Sequence, residues 1–284
     1  MKKSKALIYL IITAVLWSLG GLFIKLIDWH PVAIAGSRSG IAVIVMFIYY
    51  KKPIKRISKP QFLGALSYVA LVFLFVSANK LTTSANAILL QFTSTIWIAL
   101  FSKWFLKKAV TRLDWLIIVI IILGMCLFFM GDLEYGNTIG NILAILSGVA
   151  MASMIIFFNL QTTEKPIETT IIGNCLVFLL AIPLIVNISI DFKSILGILV
   201  LGIFQLGISY IFFTKAVHFV SPLEAILIPI IEPILNPVWV LIFTGEKVSF
   251  YSIIGGIVII SAVVIRGVLT SKPSHNNTQN KMVS

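Results

Sequence analysis

Short polar breaks divide the chain into apolar runs of about 20 residues, the length an α-helix needs to cross the hydrocarbon core of a bilayer. A backbone in lipid must satisfy its own N–H and C=O groups, and runs of this length do so as helices. Ten such runs can be drawn, over 6–27, 32–50, 60–79, 85–106, 114–131, 138–160, 169–188, 195–214, 223–244 and 250–269. Only 11% of residues are charged and 59% are hydrophobic, whereas soluble domains carry roughly 25% charge. The reading is an all-α polytopic membrane protein, and the runs leave no stretch for a soluble catalytic domain. Residues 1–135 and 136–270 would form two five-helix halves. The polar segment 271–284 is expected to be a disordered cytoplasmic tail.

The formal net charge of +12 could suggest nucleic acid, but its distribution excludes that reading. With the N-terminus in the cytoplasm, 17 of the 22 lysines and arginines fall inside: Lys2, Lys3, Lys5, Lys51, Lys52, Lys55, Arg56, Lys59, Lys103, Lys107, Lys108, Arg112, Lys165, Lys215, Arg266, Lys272 and Lys281. This is the positive-inside pattern for an even number of spans, which puts a multi-pass chain in the cell (inner or plasma) membrane with both termini cytoplasmic. The basic start, Lys2-Lys3-Ser4-Lys5, resembles a secretion signal. Its apolar stretch is too long, and no small-residue cleavage site follows, so a retained first helix is expected. Cys126 and Cys175 lie inside apolar runs, outside any metal-ligand or Cys-x-x-Cys spacing.

Residues 221–245 place a carboxylate, Glu232, among Pro229, Pro233 and Pro237 within a run long enough to span. An ionisable group at bilayer depth costs at least about 2.5 to 3.5 kcal/mol, so it ordinarily faces a polar cavity. Each proline lacks the N–H that would bond the carbonyl four residues back, so the helix is expected to break here beside a cavity. Glu232 is therefore a candidate proton acceptor or partner for a cationic group of a substrate. The competing reading is a hydrogen-bonded structural residue supporting the broken helix.

Shifting the sequence by 138 residues pairs Ala78 with Ala216, Ala87 with Ala225, Ile88 with Ile226, Leu89 with Leu227 and Gly64 with Gly202. Each half then holds five helices, and an odd number forces the second half to enter the membrane inverted. Inverted repeats of this kind carry their substrate site near the midplane between the halves. The same shift pairs Glu232 with Ser94 and Pro229 with Gln91. Gln91, Ser94 and Thr95 share a helical face by their three and four spacing, as do Glu232 and Asn236. Two polar patches would thus face one another at mid-depth.

Arg38 sits between Gly36 and Gly40, a small-xxx-small spacing that lets another helix approach. Its planar fork suits a carboxylate or phosphate, with structural pairing or gate stabilisation as the alternative. Trp17 and Tyr210, together with Tyr68, Trp97 and Trp239, are aromatics within spans that either stack on substrate or pack. Asn79, Gln205, Asn236 and Asn174 are uncharged cavity candidates or interhelical hydrogen-bonders. Lys25 can snorkel to the interface, and Glu224 suits the start of the ninth helix.

Trp17-Ser18 with Lys25, Pro31 followed by Arg38, Glu232-Pro233 and Gly245-Glu246 together resemble the EamA-type branch of the drug/metabolite transporter superfamily, over roughly residues 6 to 269. The resemblance departs at Ser18, where the family often has glycine, and at Lys107-Lys108, where it often has Gly-Glu. It implies ten helices in two inverted five-helix repeats around a cavity that opens alternately to each side. It also implies a secondary transporter, not an enzyme, that exports a small metabolite such as an amino acid or related solute, or a drug. The partners expected are a small-molecule substrate, the lipid bilayer and, as coupling ion, protons; a homodimer stays open, and no cofactor or metal is expected. A passive channel or an intramembrane enzyme or scaffold are the alternatives. An enzyme would need a nucleophile with a base, paired aspartates or a metal-ligand set at membrane depth, and the spans offer one convincing buried carboxylate.

Overall fold

A computed structural model describes residues 1–54, 57–128, 130, 138–162, 165–186, 188, 191–235 and 250–271. Helix falls in each of the ten predicted runs. These are α1 (Lys3–Leu26), α2 (Pro31–Tyr50), α3 (Lys59–Leu81), α4 (Ser84–Gln91 continued by Ser94–Phe105), α5 (Arg112–Phe128), α6 (Thr138–Leu160), α7 (Pro166–Ile185), α8 (Phe192–Phe219), α9 (from Pro222–Leu227 onward) and α10 (Phe250–Ser271). Among the described residues seven helices are long and apolar enough to cross a membrane: α1, α2, α3, α4, α6, α7 and α8. α5 has 17 residues, α9 is described as far as residue 235, and the apolar part of α10 is Ile253–Arg266. Large side chains such as Ile44, Ile48, Leu66, Leu123, Leu180, Ile257 and Val264 cover the outside. An apolar surface on that scale requires lipid as its solvent.

Local chemistry sets the helix ends. His30 Nδ1 accepts from Val32 N at 3.3 Å and Pro31 takes the first position of α2, where a missing N–H is tolerated. Lys51, in the left-handed region at φ 53°, closes the same helix. The Asp191 carboxylate caps α8 by accepting from Ser194 N at 2.8 Å, and its hydrogen bonds from Ser194 hold it below the ordinary carboxylate range.

The 138-residue register reappears in these caps. Thr83 Oγ1 accepts from Asn86 N at 3.1 Å to start α4, and Ser221 Oγ accepts from Glu224 N at 3.2 Å to start α9. Both the caps and their donors lie 138 apart. α3 ends at Leu81 and α8 at Phe219, again 138 apart. The packing repeats in the same way. α3 lies along α6 as α1 lies along α8, α4 meets α6 as α1 meets α9, and α2 meets α8 as α3 meets α7. α2 against α7 and α5 against α10 each pair an element with its own counterpart.

Helix ends gather on two faces. On the first, Lys3 Nζ lies 2.7 Å from Glu224 Oε1, Arg266 Nε lies 2.9 Å from Asp114 Oδ1, and Arg266 Nη1 lies 3.9 Å from Glu224 Oε1. The starts of α1, α5 and α9 and the end of α10 therefore lie together. On the second, Lys25 Nζ donates to Thr82 O at 2.7 Å, Lys80 Nζ to Ile27 O at 2.8 Å, and Thr82 Oγ1 to Asn141 Oδ1 at 2.8 Å. There the ends of α1 and α3 meet the start of α6. α1 and its counterpart α6 thus begin on opposite faces, the relation that five helices per half imposes.

Candidate functional site

Between the halves lies a cavity of about 40 Å³ lined by Trp17 of α1, Arg38 of α2, Leu71, Val72 and Phe75 of α3, Gln91 of α4, Met151 of α6, Gln205, Leu206 and Tyr210 of α8, and Glu232 of α9. Six of the residues singled out in the sequence, Trp17, Arg38, Gln91, Gln205, Tyr210 and Glu232, converge there although they come from five helices.

Arg38 is 1% exposed. A guanidinium keeps its charge under all ordinary conditions, so its burial needs compensation. One hydrogen bond is in place, from Nη1 to Gln205 Oε1 at 2.9 Å. Its Nε has no partner among the described residues, which leaves bonding capacity in a group that lines the cavity. Close helix contact makes this bond attainable: a Cβ at Gly202 would stand 2.9 Å from Arg38 O and 2.6 Å from Ile41 Cβ.

Gln205 belongs to a π-helical stretch of α8, Leu201–Ile208. Such stretches are uncommon and often mark functional positions, because the wider turn re-aims side chains and frees carbonyls. Here Ser209, just after the stretch, meets two of its carbonyls and is in turn bonded from α1. The Ser209 hydroxyl donates to the Gln205 carbonyl and, at 3.3 Å, to Leu206 O. Trp17 Nε1 donates to Ser209 Oγ at 3.0 Å, and Thr13 Oγ1 donates to Ser209 O at 3.2 Å.

An aromatic wall completes that side. Tyr210 packs 5.2 Å from the Trp17 ring and edge-on to Tyr68 at 5.1 Å. Tyr68 OH donates to Asn174 Oδ1 at 3.1 Å, which turns its ring and fixes its tip. Asn174 and Tyr68 thus act behind the wall. Glu232, 6% exposed, lines the same cavity just beyond the point where α9 passes at Ile228–Ile230 into 3₁₀ helix. That break is the one Pro229 predicts. Among the described residues no ion pair is formed by Glu232.

Ser94 and Thr95 do not reach the cavity. The three and four spacing from Gln91 assumed a continuous helix, but α4 stops at Gln91 and restarts at Ser94. Between them Thr93 N bonds Leu90 O at 3.2 Å and Thr95 N bonds Phe92 O at 3.0 Å, so the register tightens and the face rotates. Thr95 Oγ1 donates to Phe92 O at 2.9 Å, while Ser94 Oγ is buried without a partner among the described residues. α6 seats against the break, where a Cβ at Gly148 would lie 2.5 Å from Gln91 O. In the 138-residue register, this break falls beside the 3₁₀ turn of α9.

Asn79 is also absent from the lining. It is fully buried and its Nδ2 donates to Phe75 O at 3.3 Å within its own helix. Lys25, exposed at the end of α1, donates to the Thr82 carbonyl at 2.7 Å. Trp97 packs on Phe101 at 6.2 Å. Asn236 and Trp239 lie outside the described residues. Ser209, Phe75 and Met151 were not foreseen: Ser209 lies four residues after Gln205, a spacing that acquires meaning only once the π stretch is known.

The EamA-like transporter family pattern matches residues 4–130 and 138–267, one match for each half. The chain is 28% identical over 210 residues to the uncharacterized transporter YdfC of Bacillus subtilis (strain 168), a match covering 71% of this chain and 68% of that relative. A solved crystal structure at 16% identity superposes with a TM-score of 0.80 over 95% of this chain and 100% of that one, which shows the fold alone.

Proposed function

Because the chain belongs to the EamA-like transporter family, we propose that it is a secondary transporter that exports a small metabolite across the cell membrane by alternating access, with Glu232 as its proton-exchanging group. The observation that carries this reading is the placement of Arg38 and Glu232 in the lining of one cavity. A guanidinium and a carboxylate in the same enclosure suit a solute bearing both an anionic and a cationic group, such as an amino acid. Arg38 would bind the anionic end through the N–H groups left over from Gln205. Glu232 would bind either a proton or the cationic end, and competition between the two couples a proton gradient to solute movement. Trp17 and Tyr210 offer stacking faces for the remainder.

At about 40 Å³ the cavity has room for a few waters but is far below the roughly 300 to 1,000 Å³ of ordinary ligand sites. Loading therefore requires the halves to part. The test is uptake and counterflow in proteoliposomes, with and without an imposed proton gradient, across amino acids, nucleosides and cationic dyes. Saturable, gradient-driven accumulation of a zwitterion is expected. Flux of channel magnitude that ignores the gradient would sink the proposal.

A further inference from the structure

A second cavity, of about 310 Å³, opens on the face that carries Lys3 and Glu224, between the end of α2, the start of α7 and the end of α8. Its lining combines Lys165, Lys215 and His218 with Tyr49, Tyr50 and Phe219. Among the described lining residues there is no carboxylate. Glu168, in the first turn of α7, lies beside the lining with both oxygens already bonded: it accepts from the Tyr50 hydroxyl, from Gln61 Nε2 at 3.3 Å and from Lys165 N at 3.4 Å. Lys215 Nζ lies 4.5 Å over the Tyr49 ring and Lys165 Nζ 5.8 Å over the Tyr50 ring. The rings thus set both ammonium groups in place, and among the described residues neither Nζ donates a hydrogen bond.

The geometry points to a binding site for the phosphate headgroup of an anionic phospholipid. Basic pockets between membrane helices at this depth recognise such headgroups, and tyrosines at helix ends sit at headgroup level. Lys165, Lys215 and His218 supply donors to the phosphate oxygens, and the Tyr49 hydroxyl adds another. Phe219 and Tyr49, both nearly half exposed, give the acyl chains a path along the outside of the bundle. A free phosphate shares the headgroup chemistry but has no use for that apolar path. α2 belongs to the first half and α7 and α8 to the second, so one headgroup bridges both halves. This inference is independent of which solute the central cavity takes.

The experiment uses the full chain purified in a neutral detergent. Native mass spectrometry counts retained phosphatidylglycerol, and thermal unfolding is followed on adding phosphatidylglycerol, phosphatidylcholine or inorganic phosphate. Phosphatidylglycerol should be retained as one tight copy and raise the midpoint by several degrees, with phosphatidylcholine and phosphate nearly inert. Lys165→Gln and Lys215→Gln should each weaken retention about fivefold, whereas Lys215→Arg, which keeps the charge, and Lys103→Gln, outside the cavity, should leave it unchanged. If Lys215→Gln does not survive extraction, the contrast between Lys165→Gln and Lys103→Gln decides. Retention indifferent to both cavity lysines, an equal response to phosphatidylcholine, or full reproduction of the shift by inorganic phosphate would each overturn the assignment.

Discussion

Arg38 Nη1 donates to Gln205 Oε1 at 2.9 Å, joining α2 of the first half to the π stretch of α8 in the second. The bond is the main compensation for a guanidinium that is 1% exposed, and hydrogen bonds to charged groups contribute about 1.5 to 3 kcal/mol. Gln205→Leu should therefore destabilise the fold by about 2 kcal/mol, read as a lowered unfolding midpoint in detergent, and Gln205→Glu should restore it. An unchanged midpoint in the leucine variant would show that Arg38 is satisfied elsewhere.

Glu232→Gln keeps the shape of the side chain and removes its ability to exchange a proton. The variant should insert and unfold like the parent yet lose gradient-driven accumulation in proteoliposomes. Solute exchange without a gradient should weaken as well, because the neutral amide lacks the charge that holds the cationic end of the solute. Accumulation at the parental rate would remove Glu232 from the coupling mechanism.

Gly36 of α2 packs closely against α7. A Cβ there would lie 2.2 Å from Ala181 Cβ and 2.9 Å from Ile185 Cδ1, so overpacking should cost about 1 to 3 kcal/mol. Gly36→Val should lower the unfolding midpoint and transport together. Ala181→Gly in the same chain should recover part of the loss, a result that thermal melts of the two variants can decide.

Removing Arg266 leaves Asp114 and Glu224 without the guanidinium that lies 2.9 Å and 3.9 Å from them. Breaking a buried pair costs about 3 to 5 kcal/mol, more than replacing both partners with apolar groups. Arg266→Met should thus be the worse variant, and Arg266→Met with Asp114→Leu the better one. A double variant as unstable as the single one would contradict the desolvation argument.

Orientation is checked by labelling in a background lacking Cys126 and Cys175. Lys52→Cys, at the end of α2, and Lys193→Cys, at the start of α8, are both exposed and lie on opposite faces. An impermeant thiol reagent should reach only position 193 from outside the cell. Labelling of position 52 instead would reverse the assignment of the basic face to the cytoplasm.

The fold was legible because its signals are local and repeated. Apolar runs mark every span, and Thr83 and Ser221 cap their helices in the register that a handful of alanines and leucines suggested. Glu232 and Arg38 were legible because charge at membrane depth is costly anywhere. Ser94 and Thr95 were misplaced because the break after Gln91 has no proline or glycine to announce it; it shows in the tightened bonds around Phe92 and Thr93 and in the close seat of Gly148. The π stretch around Gln205 was invisible for another reason: it holds Gly202 and Gly207, but glycines in a membrane helix are read first as sites of close packing. The Gln205 carbonyl accepts from Ser209 in the same helix, and Trp17 and Thr13 bond Ser209 only after α1 and α8 have met.

The helix ends described on the two faces are fastened by unlike chemistry. One face is tied by full charges, Lys3 with Glu224 and Arg266 with Asp114, and the other by ammonium groups on backbone carbonyls, Lys25 on Thr82 and Lys80 on Ile27. Ionic strength weakens the Lys3–Glu224 pair, whose lysine is half exposed, far more than the buried Arg266–Asp114 pair or a charge bonded to a carbonyl. In a cycle that opens one side at a time, salt added to the Lys3 side alone should quicken that side's opening and leave the other untouched. Salt would then act as a throttle on half of the transport cycle, measurable as an asymmetry between exchange rates with salt inside and salt outside the vesicle.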